Sequence, residues 1–228
     1  LNVVMVFGKV EEGATENDAG ISAYNRFIDR IKILLKDYNP TTIPETFPTD
    51  PGVAAGDIQF NTTLPNGKQV QITGILVDGV RVAGEAFDAR YQNLSSNADV
   101  IGYFGHSGLG ANIRHLAQKG DWQQGQYVMV FMNGCDTYAY VDRSLADAHA
   151  AVNPDDPVGT QYVDIIMNAM PSFFSQNDKN AMAIINAVWH YQQPKTYEQI
   201  FAGIDAHQVV LVSGEADNVY FPGWPGDS

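Results

Sequence analysis

The sequence contains a single cysteine, Cys135, among its 228 residues. One cysteine excludes an internal disulfide, and it also excludes a metal site built from several thiolates. The lone thiol is therefore either a small buried hydrophobic group or a reactive nucleophile. Its position relative to the predicted strands and to other reactive side chains decides between these roles.

Basic residues are also scarce. Thirteen lysines and arginines face 26 acidic residues, which gives a formal net charge of -13 and an isoelectric point near 4.5. Such a negative charge argues against nucleic acid and anionic membrane surfaces as partners, because both repel it. A positively charged peptide or protein substrate is favoured instead.

Long apolar runs are absent as well. The densest run, at 127–132, is far shorter than the roughly 18 residues needed to span a bilayer, so we expect a soluble protein with no membrane span. The composition, 45% hydrophobic and 17% charged, is typical of a folded protein, and the length suits a single domain over 1–228. Because Leu1 opens the chain without a methionine or a leader, we expect a processed mature form or an excised domain. The expected location is extracellular or periplasmic.

Strand and helix patterns alternate along the chain and predict an α/β sandwich built on a mostly parallel sheet. Predicted strands occupy 2–8, 100–104, 127–132 and 208–214, and predicted helices occupy 21–38, 87–97, 111–120, 162–170, 177–191 and 197–203. Turn signals within 57–84 predict a small antiparallel insert of three strands, the last at 80–83. The segment 136–160 is predicted to be a long loop.

Two reactive side chains follow neighbouring strands of this pattern. His106 comes shortly after the strand "VIGYF", and Cys135 comes shortly after the strand "YVMVFM". A single crossover helix connects these strands, so they must be parallel and must end at the same edge of the sheet. If the two strands are neighbours, the imidazole can face the thiol, and an imidazole that takes the thiol proton makes it a strong nucleophile.

Glycines surround both residues. Gly105 and Gly108 flank His106, and Gly134 precedes Cys135. Glycine permits sharp turns and close approach of a ligand to the backbone, and it leaves N–H groups free to stabilise an oxyanion. The backbone amides of Cys135 and of Ser107 or Gly108 are the candidates for this oxyanion hole.

The blocks "VIGYFGHSG" and "YVMVFMNGC" resemble those of the caspase-like cysteine peptidases, a group that includes caspases, metacaspases, legumain, clostripain and gingipains. The resemblance implies a three-layer α/β/α sandwich, with Cys135 as the nucleophile and His106 as its acid–base partner. It also implies cleavage of peptide bonds in a peptide or protein substrate, and this chemistry requires no metal or organic cofactor.

The chain departs from caspases proper in three respects. Ser107 stands between His106 and the following glycine, Gly134 stands where alanine or serine is usual, and the Q-A-C-x-G signature is absent. His106 and Cys135 lie 29 positions apart, against about 50 in caspases. The layout is closest to bacterial gingipain-like or clostripain-like members. That analogy and the acidic charge favour cleavage after Arg or Lys, with Asp136, Glu215 and Asp217 as substrate-binding candidates.

A serine hydrolase that uses Ser107 is an alternative, because a strand, a tight turn and a helix also present the serine of a G-x-S-x-G motif. Leu109 replaces the second glycine of that motif, and no HGGG-type oxyanion loop precedes it. The available histidines, His190 in a predicted helix and His207 just before a strand, are poorly placed as partners.

Two more alternatives keep the fold but change the function. The chain could be a catalytically inactive caspase-like binding domain, or a cysteine-dependent transferase with the same dyad. A metal site made of His106 and His115 lacks the H-E-x-x-H spacing, so His115 is interpreted as a surface histidine of a helix.

Overall fold

The computed structural model describes residues 1–190 and 192–214, and it contains one eight-stranded sheet with helices on both faces. In chain order the elements are β1 (Asn2–Gly8), α1 (Ala19–Leu35), β2 (Thr41–Ile43), β3 (Asp57–Thr63), β4 (Gln69–Val77), α2 (Glu85–Ser95), β5 (Val100–Phe104), α3 (Ala111–Lys119), β6 (Val128–Asn133), α4 (Thr137–Tyr140), α5 (Ser144–Val152), β7 (Val163–Asn168), α6 (Asn177–Trp189), α7 (Tyr197–Phe201) and β8 (Val210–Ser213). The prediction of a three-layer α/β/α sandwich is confirmed.

The strands lie in the order β2-β3-β4-β1-β5-β6-β7-β8. From β4 to β7 every neighbouring pair is parallel, whereas β2, β3 and β8 pair antiparallel with their neighbours. The central strands are buried on both faces, which explains their continuous runs of Val, Ile, Phe and Met.

Two apolar clusters fill the spaces between the sheet and its helices. One cluster packs α1, α6 and α7 against one face of the sheet, which we call the α1 face. The other packs α2, α3 and α5 against the opposite face, which we call the α3 face. Because side chains alternate along a strand, Phe104 points to the α1 face whereas Tyr103 points to the α3 face.

The first helix forms where the sequence places apolar residues every three or four positions. Its buried stripe includes Tyr24, Ile28 and Ile31. Asp18 caps its start, and its carboxylate accepts hydrogen bonds from the backbone amides of Gly20 and Ile21. The predicted helix over 21–38 is thus confirmed, with α1 itself ending at Leu35.

Three predicted elements differ from the structure. The segment 162–170 forms β7 and not a helix, because a fully buried strand has an unbroken apolar run that periodicity cannot distinguish from a helix. Residues 80–83 form turns, so the predicted third strand of the 57–84 insert is absent, and β4 pairs with β1 as well as with β3. The segment 136–160 contains α4 and α5, since the alanine-rich "SLADAHAAV" favours a helix.

The connections leave the carboxyl edge of the sheet in different directions. After β1 the chain continues into α1 on the α1 face, whereas after the adjacent β5 it continues into α3 on the α3 face. The same divergence occurs between β6 and β7. In open α/β sheets such points create crevices outside the carboxyl ends of the strands, where ligands bind.

None of the helices within the described ranges combines the length and apolar character that crossing a bilayer requires.

Candidate functional site

The strands β5 and β6 are direct neighbours, and their carboxyl ends are in register. Phe104 pairs with Asn133, and the next amide, that of Gly105, donates a 3.1 Å hydrogen bond to the Asn133 carbonyl. His106 and Cys135 each lie two residues beyond these paired positions. The predicted juxtaposition of the two strand ends is therefore present, at the carboxyl edge of the sheet.

Two glycines let the turns after β5 and β6 pack backbone against backbone. A Cβ atom on Gly134 would lie 2.8 Å from the Gly105 carbonyl oxygen and 3.2 Å from the Ser107 nitrogen. A Cβ atom on Gly105 would lie 2.8 Å from the Tyr103 hydroxyl. The close approach of the His106 turn thus explains why a glycine stands at position 134.

The imidazole of His106 is exposed and fixed by two neighbours. Its Nε2 lies 3.0 Å from the carbonyl oxygen of Val10, in the loop after β1, and its ring meets the Phe174 ring edge-on at 4.9 Å. A carbonyl can only accept, so Nε2 donates, and Nδ1 of the neutral ring is then the basic nitrogen. The contact assigns a tautomer suited to proton transfer at Nδ1.

The backbone of His106 is held as firmly as its ring. Its carbonyl oxygen accepts hydrogen bonds from the Tyr103 hydroxyl at 2.7 Å and from Nδ2 of Asn112 at 2.8 Å. Both donors are buried on the α3 face. Burial also raises the pKa of Tyr103 to well above its ordinary value, so this hydroxyl remains a donor at any physiological pH.

The thiol of Cys135 is half-buried at the start of the turn after β6. Its Sγ lies 3.9 Å from the carbonyl oxygen of Ser172, in the segment between β7 and α6. Within the described ranges no hydrogen bond joins Cys135 to His106. Catalytic hydrogen bonds are often long in unliganded enzymes and tighten when substrate binds, so this geometry is compatible with a dyad.

The residues after Cys135 fix its turn. Asp136 adopts a left-handed conformation with φ 52°, and its amide donates to the Met170 carbonyl. The buried Thr137 hydroxyl donates to the Met132 carbonyl at 2.7 Å and accepts from the Asn168 amide at 2.8 Å. The turn is thereby attached to the ends of both β6 and β7.

The backbone amides proposed for an oxyanion hole lie where the two turns meet. In the part of the chain that the structure describes, the amides of Ser107, Gly108 and Cys135 donate no hydrogen bond. Gly108 has φ 58°, a conformation that glycine adopts without strain. These amides are thus available to a developing oxyanion.

The serine alternative gains little from the geometry. Ser107 is only 7% exposed. His190 ends α6 at the opposite, amino edge of the sheet, and its Nδ1 contacts the Asn186 carbonyl. His207 pairs with Asp205 just before β8. Two strands lie between β8 and β5, so these two strands are roughly 14 Å apart.

The remaining residues singled out from the sequence are Asp136, Glu215, Asp217 and His115. Asp136 is half-buried beside the thiol. Glu215 and Asp217 lie outside the described residues. His115 is half-buried between α2 and α3, where its Nε2 lies 2.8 Å from Oδ1 of Asp88.

Sequence reasoning missed the two segments that flank the pair. The loop after β1 supplies the Val10 carbonyl, and the segment after β7 supplies Ser172 and Phe174. Gly8, which ends the first predicted strand, was a signal for the loop after β1. The segment after β7 was not recognised because 162–170 was predicted to be a helix.

Neither a protein-family model nor a curated protein of known function matches this chain.

Proposed function

We propose that the protein is a cysteine endopeptidase that acts through Cys135 and His106. The observation that carries the proposal is the register of β5 and β6, which places both residues two positions beyond the paired strand ends. The tautomer of His106, the unused amides of the two turns and the half-buried thiol support the same chemistry. The resemblance of the two sequence blocks to caspase-like peptidases agrees with it.

The reaction begins when Nδ1 of His106 accepts the Cys135 proton and the thiolate attacks the carbonyl carbon of the scissile bond. A C–S bond forms, and the amides of Ser107, Gly108 and Cys135 stabilise the oxyanion. The C–N bond then breaks, and the leaving amine takes the proton from His106. Water, deprotonated by His106, hydrolyses the thioester and regenerates the thiol.

Cleavage after Arg or Lys is part of the proposal. Asp136 is adjacent to the nucleophile, and no ion pair uses its carboxylate within the described ranges. The net charge of -13 also favours association with a basic substrate. The proposal also includes a location in the extracellular space or the periplasm.

The experiment combines two reagents with a mixed peptide library. Iodoacetamide and a fluorophosphonate are applied to the wild type, and Cys135→Ala, His106→Ala and Ser107→Ala are assayed for cleavage. We expect alkylation of Cys135 at neutral pH, loss of cleavage in the first two variants and retention in the third. Asp136→Asn should selectively weaken cleavage after basic residues.

The opposite results separate the alternatives. A rapid fluorophosphonate adduct on Ser107 would replace the peptidase with a serine hydrolase. A protein that alkylates at Cys135 but transfers acyl groups to amines in preference to water would be a transferase. Inertness to both reagents, with no peptide cleaved, would indicate a binding domain.

A further inference from the structure

A cluster of buried amide side chains lies beneath the candidate site, on the α1 face of the sheet. It consists of Asn133 at the end of β6, Asn168 at the end of β7, Asn177 and Asn180 on α6, and Gln208 before β8. Each of these residues is less than 10% exposed. We call this set the amide cluster.

Asn133 connects this cluster to both turns of the site. Its carbonyl oxygen accepts the Gly105 amide at 3.1 Å, and Gly105 directly precedes His106. Asn133 is also covalently connected to the Cys135 turn, because Gly134 and Cys135 are the next two residues. Its side-chain Nδ2 donates to Oδ1 of Asn177, the first residue of α6, at 2.9 Å. One residue thus holds the His106 turn, the Cys135 turn and a helix start.

The start of α6 matters because the preceding residues touch both members of the pair. The Ser172 carbonyl lies 3.9 Å from the Cys135 sulfur, and the Phe174 ring packs against His106 at 4.9 Å. Only a 3-10 turn, Phe174–Gln176, separates this segment from Asn177. A displacement of Asn177 would therefore move the wall that faces the thiol and the imidazole together.

An amide side chain is energetically unfavourable at position 133. Asn133 is fully buried at the end of a central strand, where asparagine is disfavoured and where an unpaired amide costs free energy. The Nδ2 atom of Asn180 lies 3.5 Å from Oδ1 of Asn133, a long hydrogen bond. Asn177 is therefore the main hydrogen-bond partner of the Asn133 side chain. Leucine has a similar volume and would bury more cheaply, but it would leave the start of α6 unattached to β6.

We propose that Asn133 is a positioning residue that, through Asn177, holds the wall of Ser172 and Phe174 in place against Cys135 and His106. This role rests on the proposed peptidase function. Asn133 touches no reacting atom; it fixes the alignment in which Nδ1 of His106 takes the thiol proton. Small displacements of reacting groups are costly for catalysis, so the bond is expected to act on kcat.

The test uses one substitution at the Asn133 end of the bond and two at the Asn177 end. Asn133→Leu removes the donor, Asn177→Leu removes the acceptor, and Asn177→Asp retains an acceptor oxygen. For each variant we measure kcat and KM on the best library peptide, and the rate of Cys135 alkylation by iodoacetamide against pH. Asp178→Asn is the matched control, because Asp178 is the next residue of α6 but bonds Arg26 and Arg30 of α1.

Both leucine variants should lose about 10- to 100-fold in kcat with KM within about twofold, and their pH midpoint of alkylation should move. Asn177→Asp should keep kcat within about threefold of the wild type. Asp178→Asn should lower the melting temperature without moving the alkylation profile.

Other outcomes separate the two proposals. If both leucine variants keep the wild-type kcat and alkylation profile, or if Asp178→Asn moves the profile equally, the positioning role is overturned and the peptidase stands. If Asn133→Leu does not fold, the two Asn177 variants decide by themselves. If the wild type cleaves no peptide and Cys135 alkylates as an ordinary free thiol, both proposals fail.

Discussion

The turn that carries His106 and the turn that carries Cys135 end neighbouring strands, yet they are held from different directions. The His106 carbonyl is bound by Tyr103 and Asn112 on the α3 face. The Cys135 turn is attached through Thr137 to the ends of β6 and β7, and through Asn133 to the α1 face. The alignment of the pair therefore depends on the strand register, on Asn133, which is attached to both turns, and on further supports that are separate for each turn.

The separation of supports predicts that each turn can be disturbed without the other. A defect on the Cys135 side should change thiol reactivity first. A defect on the His106 side should leave the thiol accessible but should weaken proton transfer. Paired measurements of alkylation and peptide cleavage distinguish the two cases. In these comparisons alkylation is measured at about pH 10, where a thiol ionises without help from an imidazole and the rate reports access to the sulfur. Cleavage requires both residues.

Mild acid should cause the largest loss of stability, through a buried histidine in the connection that follows the Cys135 turn. His149 lies on α5, in the connection that follows the Cys135 turn; it is fully buried against Trp122, and within the described ranges neither ring nitrogen has a partner. Burial lowers the pKa of His149 from 6.5 to about 4, although the charge of Asp156 opposes the shift. The unfolded chain therefore binds a proton between these values that the folded chain does not.

This difference in bound protons means that acid favours the unfolded chain. Stability is fully present above pH 6.5 and falls as the pH drops towards 4, by about 2 to 3 kcal/mol between pH 7 and pH 4.5. Urea unfolding at several pH values measures the slope, and His149→Leu should flatten it. An equal slope in this variant would show that another group is responsible.

Removal of the Thr137 hydroxyl should have the next largest effect. Thr137→Val keeps the shape of the side chain but leaves the Met132 carbonyl and the Asn168 amide unpaired at a fully buried position. We expect a loss of about 2 kcal/mol in the free energy of unfolding, together with a changed alkylation rate at Cys135.

The serine variant is the control for this prediction. Thr137→Ser keeps the hydroxyl and loses only a methyl group, so it should recover most of the lost stability and the wild-type alkylation rate. If Thr137→Val and the wild type have equal unfolding midpoints and equal rates of Cys135 alkylation, the hydroxyl does not hold the Cys135 turn.

Loss of the Asp18 carboxylate should weaken the His106 side. It accepts the amides of Val10 and Glu11 as well as those of Gly20 and Ile21, and Val10 supplies the carbonyl that binds the His106 ring. Burial alone would raise the pKa of Asp18, but these four N–H donors outweigh it and lower the pKa below 3.8. The carboxylate thus stabilises the fold above that pH, and the contribution is lost as the pH falls through the lowered value.

Asp18→Asn places an amide donor against backbone donors and should cost about 1.5 kcal/mol at neutral pH. Peptide cleavage should fall while alkylation of Cys135 stays near the wild-type rate. The difference in stability from the wild type should shrink as the pH falls below 3.8 and through the lowered pKa of Asp18, because the contribution of the carboxylate is then lost. A constant difference at all pH values would contradict the proposed cause.

The sequence was sufficient for the strands that carry the site and insufficient for the segments that surround it. The crossover between 100–104 and 127–132 required parallel strands with a common edge, so the approach of the His106 and Cys135 turns followed from local pattern. The position of β1 beside β5, and hence the contact of Val10 with His106, depends on a strand order that no local pattern contains. The segment after β7 was missed because a doubly buried strand resembles a buried helix in its periodicity.

The smallest predicted effect concerns Asn112, which lies on α3 and donates to the His106 carbonyl at 2.8 Å. Asn112→Ala leaves the Tyr103 hydroxyl as a second donor to the same oxygen, so the loss of stability should be only about 1 kcal/mol. Because the His106 turn then has one support in place of two, kcat should fall severalfold while KM and the alkylation of Cys135 remain unchanged.

The companion variant Tyr103→Phe removes the other donor, and it provides the sharpest test of the difference between the two turns. Each single variant should impair cleavage modestly, and the double variant should impair it by more than the product of the two, because the carbonyl then has no donor. Thiol alkylation should stay at the wild-type rate in all three. A parallel fall in alkylation would mean that the two turns move as one unit, and that the separate supports from the two faces of the sheet do not act independently.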